Sequence, residues 1–170
     1  MPNSALPEST PEAMGMPSAA ILDFVNAAED EVDALHSFML LCHGHVVAEG
    51  WWAPYAPDAP HMLFSLSKSF TSTAVGLAVE EGLLSVDDQV ISFFPEETPS
   101  DAGEDLAAMQ VRHLLTMTTG HSENAVSRPI RQDETNWARA FLEQPLEYAP
   151  GTEFVYNSGA SYMLSAIVQK

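Results

Sequence analysis

The segment 64-FSLSKSFT-71 sets Ser65 three residues ahead of Lys68. Residues at i and i+3 share one face of a helix. A serine hydroxyl beside an amine is a nucleophile beside a base, since a neutral lysine amine takes the serine proton as the oxygen attacks a carbonyl. Both residues fall at the predicted start of a helix. Free backbone N–H groups and the positive end of the helix dipole there favour an oxyanion. The chain holds two lysines, Lys68 and the terminal Lys170, so a chance Ser-x-x-Lys is rarer here than at average lysine usage. The competing account is a capped helix whose lysine stem lies along the surface with its ammonium in water. A second segment, 154-FVYNSGASYML-164, puts Tyr156 in a turn between an extended piece and a helix. Beside a lysine ammonium, a tyrosine hydroxyl shares a proton and serves as acid or base. Taken alone, one tyrosine in a turn is a packed aromatic.

The pattern around these residues predicts the elements that hold them. Residues 1–17 read as an extended lead-in. Residues 18–35 read as an amphipathic helix with Ser18 as cap and an apolar stripe of Ile21, Leu22, Phe24 and Val25. Over 36–55, two apolar runs flank His43-Gly44-His45, the pattern of a β-hairpin with a glycine turn. A proline-rich loop follows over 56–63. Residues 65–82 predict a helix that carries Leu66, Phe70 and Leu77 on a wide apolar face and ends at Gly82. Residues 83–97 predict a turn, capped through Asp87 and Asp88, and a short helix stopped by Pro95. Next come an acidic loop over 98–105, a helix over 109–117 ended by 118–120, and a polar loop over 121–134. A short helix over 137–142 precedes an extended piece, a turn at Asn157-Ser158-Gly159 and a final apolar helix. A lone hairpin is not stable by itself, and its edges invite pairing. The hairpin is therefore expected to belong to a larger sheet, and the chain to be the first part of something longer.

Composition narrows the function classes. The 170 residues, 46% of them hydrophobic, suffice for a core. A formal charge of −18 argues against nucleic acid and anionic membranes as partners, because both bind through basic residues. Cys42 is the single cysteine, which excludes an intrachain disulfide. The N-terminal segment lacks the basic and apolar regions of a signal peptide, and no apolar run is long enough to span a bilayer, so a cytoplasmic protein is expected. His43 and His45 alternate on the hairpin without a third ligand, so no metal site is expected. His113 is expected to be a buried hydrogen-bonding residue. The run from Glu29 to Asp33 reads as a solvated helix end, and Trp51, Trp52 and Trp137 as core or rim.

Three blocks, FSLSKSFTSTAVGLAVEEGLLSVDDQV, VRHLLTMTTGH and PGTEFVYNSGASYMLS, resemble in order and spacing the serine β-lactamase and penicillin-binding-protein superfamily. Within it they are similar to the class C-like branch of esterases, D-amino peptidases and 6-aminohexanoate-dimer hydrolases. The resemblance runs from about Pro11 to the end. It implies an α/β plus all-α fold of the β-lactamase/transpeptidase type, truncated here and mostly helical with an N-terminal β-hairpin. The whole of 1–170 would be the N-terminal part of one such domain. Residues 18–60 would supply the helix and hairpin of the α/β part, and 61–170 mainly the all-α part. It implies Ser65 as acylated nucleophile, Lys68 as its proton acceptor, and Tyr156 as partner of the lysine in proton transfer. Ser158 takes a substrate-binding position usually written as Asn in class C β-lactamases, which leans away from β-lactams and toward small-molecule esters or amides. The backbone N–H of Ser65 would form half of the oxyanion hole. The other half belongs beside a Lys-Thr-Gly or His-x-Gly motif, and neither occurs in this sequence. The implied chemistry uses no cofactor. A C-terminal segment or a partner chain would be needed to complete the sheet. The alternative reading is a catalytically incompetent fragment, or a non-catalytic remnant of the same family that binds an acyl group or ligand without turnover.

Overall fold

The structure is a computed structural model and describes residues 6–125 and 136–170; the expected lead-in over 1–17 and polar loop over 121–134 lie partly outside them. The chain divides into two compact units, Met1–Met62 and Leu63–Lys170.

In the first unit, strands β1 (Ser37–Cys42) and β2 (His45–Trp51) pair antiparallel. His43 and Gly44 turn the chain with φ of 48° and 78°, the positive values that a tight two-residue hairpin requires at both central positions. The register slips between Leu40 and Leu41, where Val47 is the extra residue of a bulge in β2. The lead-in is only partly extended: residues 7–9 pair with β2, and Glu12–Met14 form a 3-10 turn closed by Gly15. Ser9 N–H donates to Val46 O at 3.0 Å, and Val46 N–H donates to Pro7 O at 2.8 Å. One sheet edge is thus partly covered by the chain itself. Helix α1 (Ser18–Glu31) stops four residues earlier than expected, at Val32, whose backbone is extended. Ser18 is not its cap. The helix opens one residue after Pro17, and the Glu12 carboxylate accepts from both Ser18 N–H and the Ser18 hydroxyl. That carboxylate supplies the acceptor and negative charge which a helix N-terminus favours, and these bonds hold the Glu12 pKa below the usual carboxylate value. Phe24 meets Phe38 at 6.1 Å between ring centroids, and the Trp52 indole N–H donates to Glu29 at 2.6 Å.

In the second unit the core lies around the C-terminal helix. Helices α2 (Ser67–Glu80), α3 (Glu104–Ala108), α4 (Val111–Leu115), α5 (Trp137–Leu142) and α6 (Ser158–Val168) enclose Val75, Val90, Phe94, Met109, Leu114 and Phe141. Helix α6 buries Gly159, Ala160, Met163, Leu164 and Ile167, the i, i+1, i+4, i+5, i+8 stripe of a helix packed on one face; α2, α4 and α5 all pack on it. Helix α2 ends as its glycine predicts. Gly82 takes φ 71°, Gly82 N–H donates to Val79 O, and Leu83 N–H donates to Ala78 O. That pair of bonds is a Schellman stop.

Three expectations need correction here. The acidic loop over 98–105 gives way at Glu104 to α3, whose first turn holds Glu104 and Asp105; acids at that end are favoured by the dipole. The helix expected over 109–117 is confined to Val111–Leu115. Met109 is extended, and Gln110 bridges to Gln89. Asp87 and Asp88 do not cap the following 3-10 turn Val90–Phe93, which begins after Gln89. Asp88 instead accepts from Ser85 N–H at 2.7 Å, and Asp87 pairs with Arg112.

Candidate active site

Ser65 sits in a single 3-10 turn, Phe64–Leu66, that runs directly into α2. Phe64 has φ 46°, a left-handed conformation that costs a non-glycine residue about 1–3 kcal/mol. The Ser67 hydroxyl donates to Phe64 O at 2.6 Å and fixes this turn. The positive end of α2 is thereby set against Ser65. Lys68, one turn further on, reaches back, with Nζ 3.2 Å from Ser65 Oγ.

Tyr156 arrives from the other end of the sequence. Val155 N–H donates to Met117 O at 3.0 Å, which anchors the extended piece before it. Asn157 behind it caps α6. Between those two anchors the Tyr156 hydroxyl lies 2.6 Å from Ser65 Oγ, and Lys68 Nζ is 5.1 Å from the Tyr156 ring centroid. The Ser65 hydroxyl therefore has a base or acid on each of two sides. The Tyr156 pKa is lowered from the ordinary phenol value, first by the bond with Ser65, then by the Lys68 amine, with the Ser158 hydroxyl contributing least. Ser158 opens α6, and its N–H donates to Asn124 Oδ1 at 3.0 Å. All four residues singled out from the sequence thus meet in one place in the second unit. Ser65 and Tyr156 are exposed, Lys68 and Ser158 half-buried.

Two residues next to the site carry weight that the sequence reading did not give them. Asn157 is fully buried. Its Oδ1 accepts from Gly159 N–H at 2.9 Å and from Ala160 N–H and Ala125 N–H at 3.3 Å. The available signal was an Asn immediately before an apolar helical run. Asn124 holds Ser158 from the 121–125 loop, a contact 34 residues apart in sequence that no local pattern announces. The histidines exchange roles. His113 is half-buried, and its Nδ1 accepts from Gln110 N–H at 3.1 Å in a capping box. Burial, then the neighbouring Arg112, lowers its pKa. His121 is the buried one, 3% exposed. It stands 2.8 Å from the Thr119 hydroxyl and against the Phe141 ring, and burial lowers its pKa to about 4. Among the described residues no group of three His, Cys, Asp or Glu side chains could hold a metal ion, and no helix is long and apolar enough to cross a membrane.

The Beta-lactamase family profile matches residues 27–170. The chain belongs to that family. Over 60 residues it is 38% identical to the 6-aminohexanoate-dimer hydrolase of Paenarthrobacter ureafaciens, a match over 35% of this chain and 15% of that protein. A provisionally assigned β-lactamase from Bacteroides dorei DSM 17855 superposes with TM-score 0.71 at 18% identity, over 90% of this chain and 46% of that one. EstCE1, a hydrolase with promiscuous acyltransferase activity, superposes with TM-score 0.64 at 22% identity, over 88% of this chain and 45% of that one. The fold is β-lactamase-like, with a two-stranded N-terminal hairpin ahead of the helical region. The chain spans less than half the length of each of these proteins.

Proposed function

We propose that the protein is a serine hydrolase that cleaves an ester or amide bond through an acyl-enzyme on Ser65. The observation that carries this reading is the approach of both Lys68 Nζ, at 3.2 Å, and the Tyr156 hydroxyl, at 2.6 Å, to one serine oxygen. Ser65 Oγ attacks the carbonyl carbon and its proton passes to the Lys68–Tyr156 pair. The tetrahedral adduct collapses, and the pair returns that proton to the departing alcohol or amine. Water then attacks the acyl carbonyl, gives its proton to the same pair, and the acid leaves as Ser65 recovers its hydrogen. No step calls on a metal or an organic cofactor. Relatives that are hydrolases support the assignment of reaction type. Ser158 lines the substrate side beside Tyr156. A serine there, in place of the Asn of class C β-lactamases, favours small esters and amides over β-lactams.

The second oxyanion donor and the further strands of the sheet come, in this reading, from a C-terminal segment or a partner chain. The rival reading is a catalytically incompetent fragment, or a remnant that binds or accepts an acyl group without releasing it. A chromogenic ester separates the two. Continuous release of chromophore beyond one equivalent of protein is the expected result. A burst that stops at one equivalent, or no release at all from folded protein, supports the remnant.

A further inference from the structure

We infer that Asn157 is a positioning residue for the site, clamping Tyr156 and Ser158 against Ser65 by tying the start of α6 to the 121–125 loop. The inference rests on the serine-hydrolase reading for the roles of Ser65 and Tyr156, and on geometry for the clamp itself. Asn157 stands between the two side chains that it places. Its Oδ1 gathers three backbone N–H groups, two from its own helix and one from Ala125. An ordinary N-cap satisfies only its own helix. The bond to Ala125 reaches 32 residues back along the chain. The parallel bond from Ser158 N–H to Asn124 Oδ1 makes this a double stitch between the same two segments. Packing leaves no slack around it. A Cβ placed on Gly159 would lie 2.9 Å from Phe141, 3.0 Å from Asn157 Oδ1 and 3.1 Å from Ala125. With Val155 held to Met117 on the other side, the Tyr156 backbone is pinned at both neighbours, and its hydroxyl lands at hydrogen-bond distance from Ser65.

One detail decides the choice of variants. Among the described residues Asn157 Nδ2 has no hydrogen-bond partner. All the clamping passes through Oδ1, so Asn157→Ala removes all of it, whereas Asn157→Asp keeps the accepting oxygen but sets a carboxylate beside Tyr156, which itself raises a phenol's pKa.

The test reads Tyr156 twice. The first reading is the phenolate ultraviolet titration of Tyr156, isolated by subtracting the Tyr156→Phe profile. The second is the rate at which a fluorophosphonate labels Ser65. In Asn157→Ala the Tyr156 titration is expected to move up toward that of an ordinary phenol, and labelling to slow by about 10–100-fold, the scale of a displacement near 1 Å. Asn124→Ala should give the same upward movement in smaller measure, and it serves if Asn157→Ala does not fold. Unchanged titration and labelling in a folded Asn157→Ala that merely melts earlier would overturn the inference, leaving Asn157 an ordinary helix cap. A wild type that never labels at Ser65, but whose Tyr156 titration still depends on Asn157, would uphold the clamp and defeat the hydrolase reading.

Discussion

At the scale of single residues, two proton partners stand around one oxygen, Ser65 Oγ. Lys68→Ala should slow Ser65 labelling by about 10²–10⁴-fold, the usual contribution of a positioned base. Lys68→Arg should do no better, because a guanidinium stays protonated and cannot take the serine proton. An Arg variant that labels at the wild-type rate would reduce Lys68 to a fixed charge. The lowered pKa of Tyr156 gives a pH test. Its phenolate forms below the ordinary tyrosine value, so labelling should rise with pH with a midpoint below that value, and Tyr156→Phe should remove this limb. Ser65, Lys68 and Tyr156 stood out in the sequence because a helix start and a strand-to-helix turn each leave local marks, whereas Ser158 entered only through the family resemblance. The geometry at Phe64 was not. A bulky aromatic is a poor candidate for positive φ, and only the bond from Ser67 reveals the turn that sets Ser65 ahead of α2.

At the scale of elements, what decides the site is how α6 meets the loop before α5. Gly159→Ala should cost about 1–3 kcal/mol by overpacking, read as a lowered urea midpoint. A neutral effect would mean that Phe141 gives way. His121 tests the same region through pH. Folded, it binds a proton only near about pH 4, whereas its unfolded value is 6.5. Between these the unfolded chain holds more protons, so His121 contributes its full stability above 6.5 and loses it as pH falls toward 4, on the order of 3 kcal/mol in all. His121→Leu should flatten the fall in stability over this window relative to wild type, and parallel curves would contradict the assignment. Elements with strong local signals, such as the hairpin, the end of α2 at Gly82 and the whole of α5, were legible. Helix α3 was not, because five residues in an acidic stretch carry too little periodicity. The burial of His121 rather than His113 was also hidden, since it depends on Phe141, a residue 20 positions away that packs against its ring.

At the scale of the whole molecule, an acidic chain carries an apolar helix face. Leu66, Phe70 and Leu77 follow the i, i+4, i+11 spacing of one face of the segment running into α2, and they are 58%, 65% and 61% exposed. Contiguous apolar surface of this kind drives association, while a charge of −18 opposes it. Raising the salt concentration screens that repulsion. Light scattering should therefore increase with salt, and Leu77→Glu should suppress the increase; salt-independent scattering would show that the face is covered. The sequence reading placed these residues together on a helix face. It could not say which side of that face finds a partner, because burial is decided by the neighbouring helix: Val75 is covered, and α2 packs on α6.

The central claim is that Ser65 is an activated nucleophile, and the most direct measurement is intact mass after exposure to a fluorophosphonate, with the labelled peptide mapped. Attack by Ser65 Oγ forms a P–O bond and expels fluoride, so one phosphonyl group per chain should appear on the peptide that contains Ser65 and vanish in Ser65→Ala. A label that persists in Ser65→Ala, or no label on folded wild-type protein, would contradict the claim.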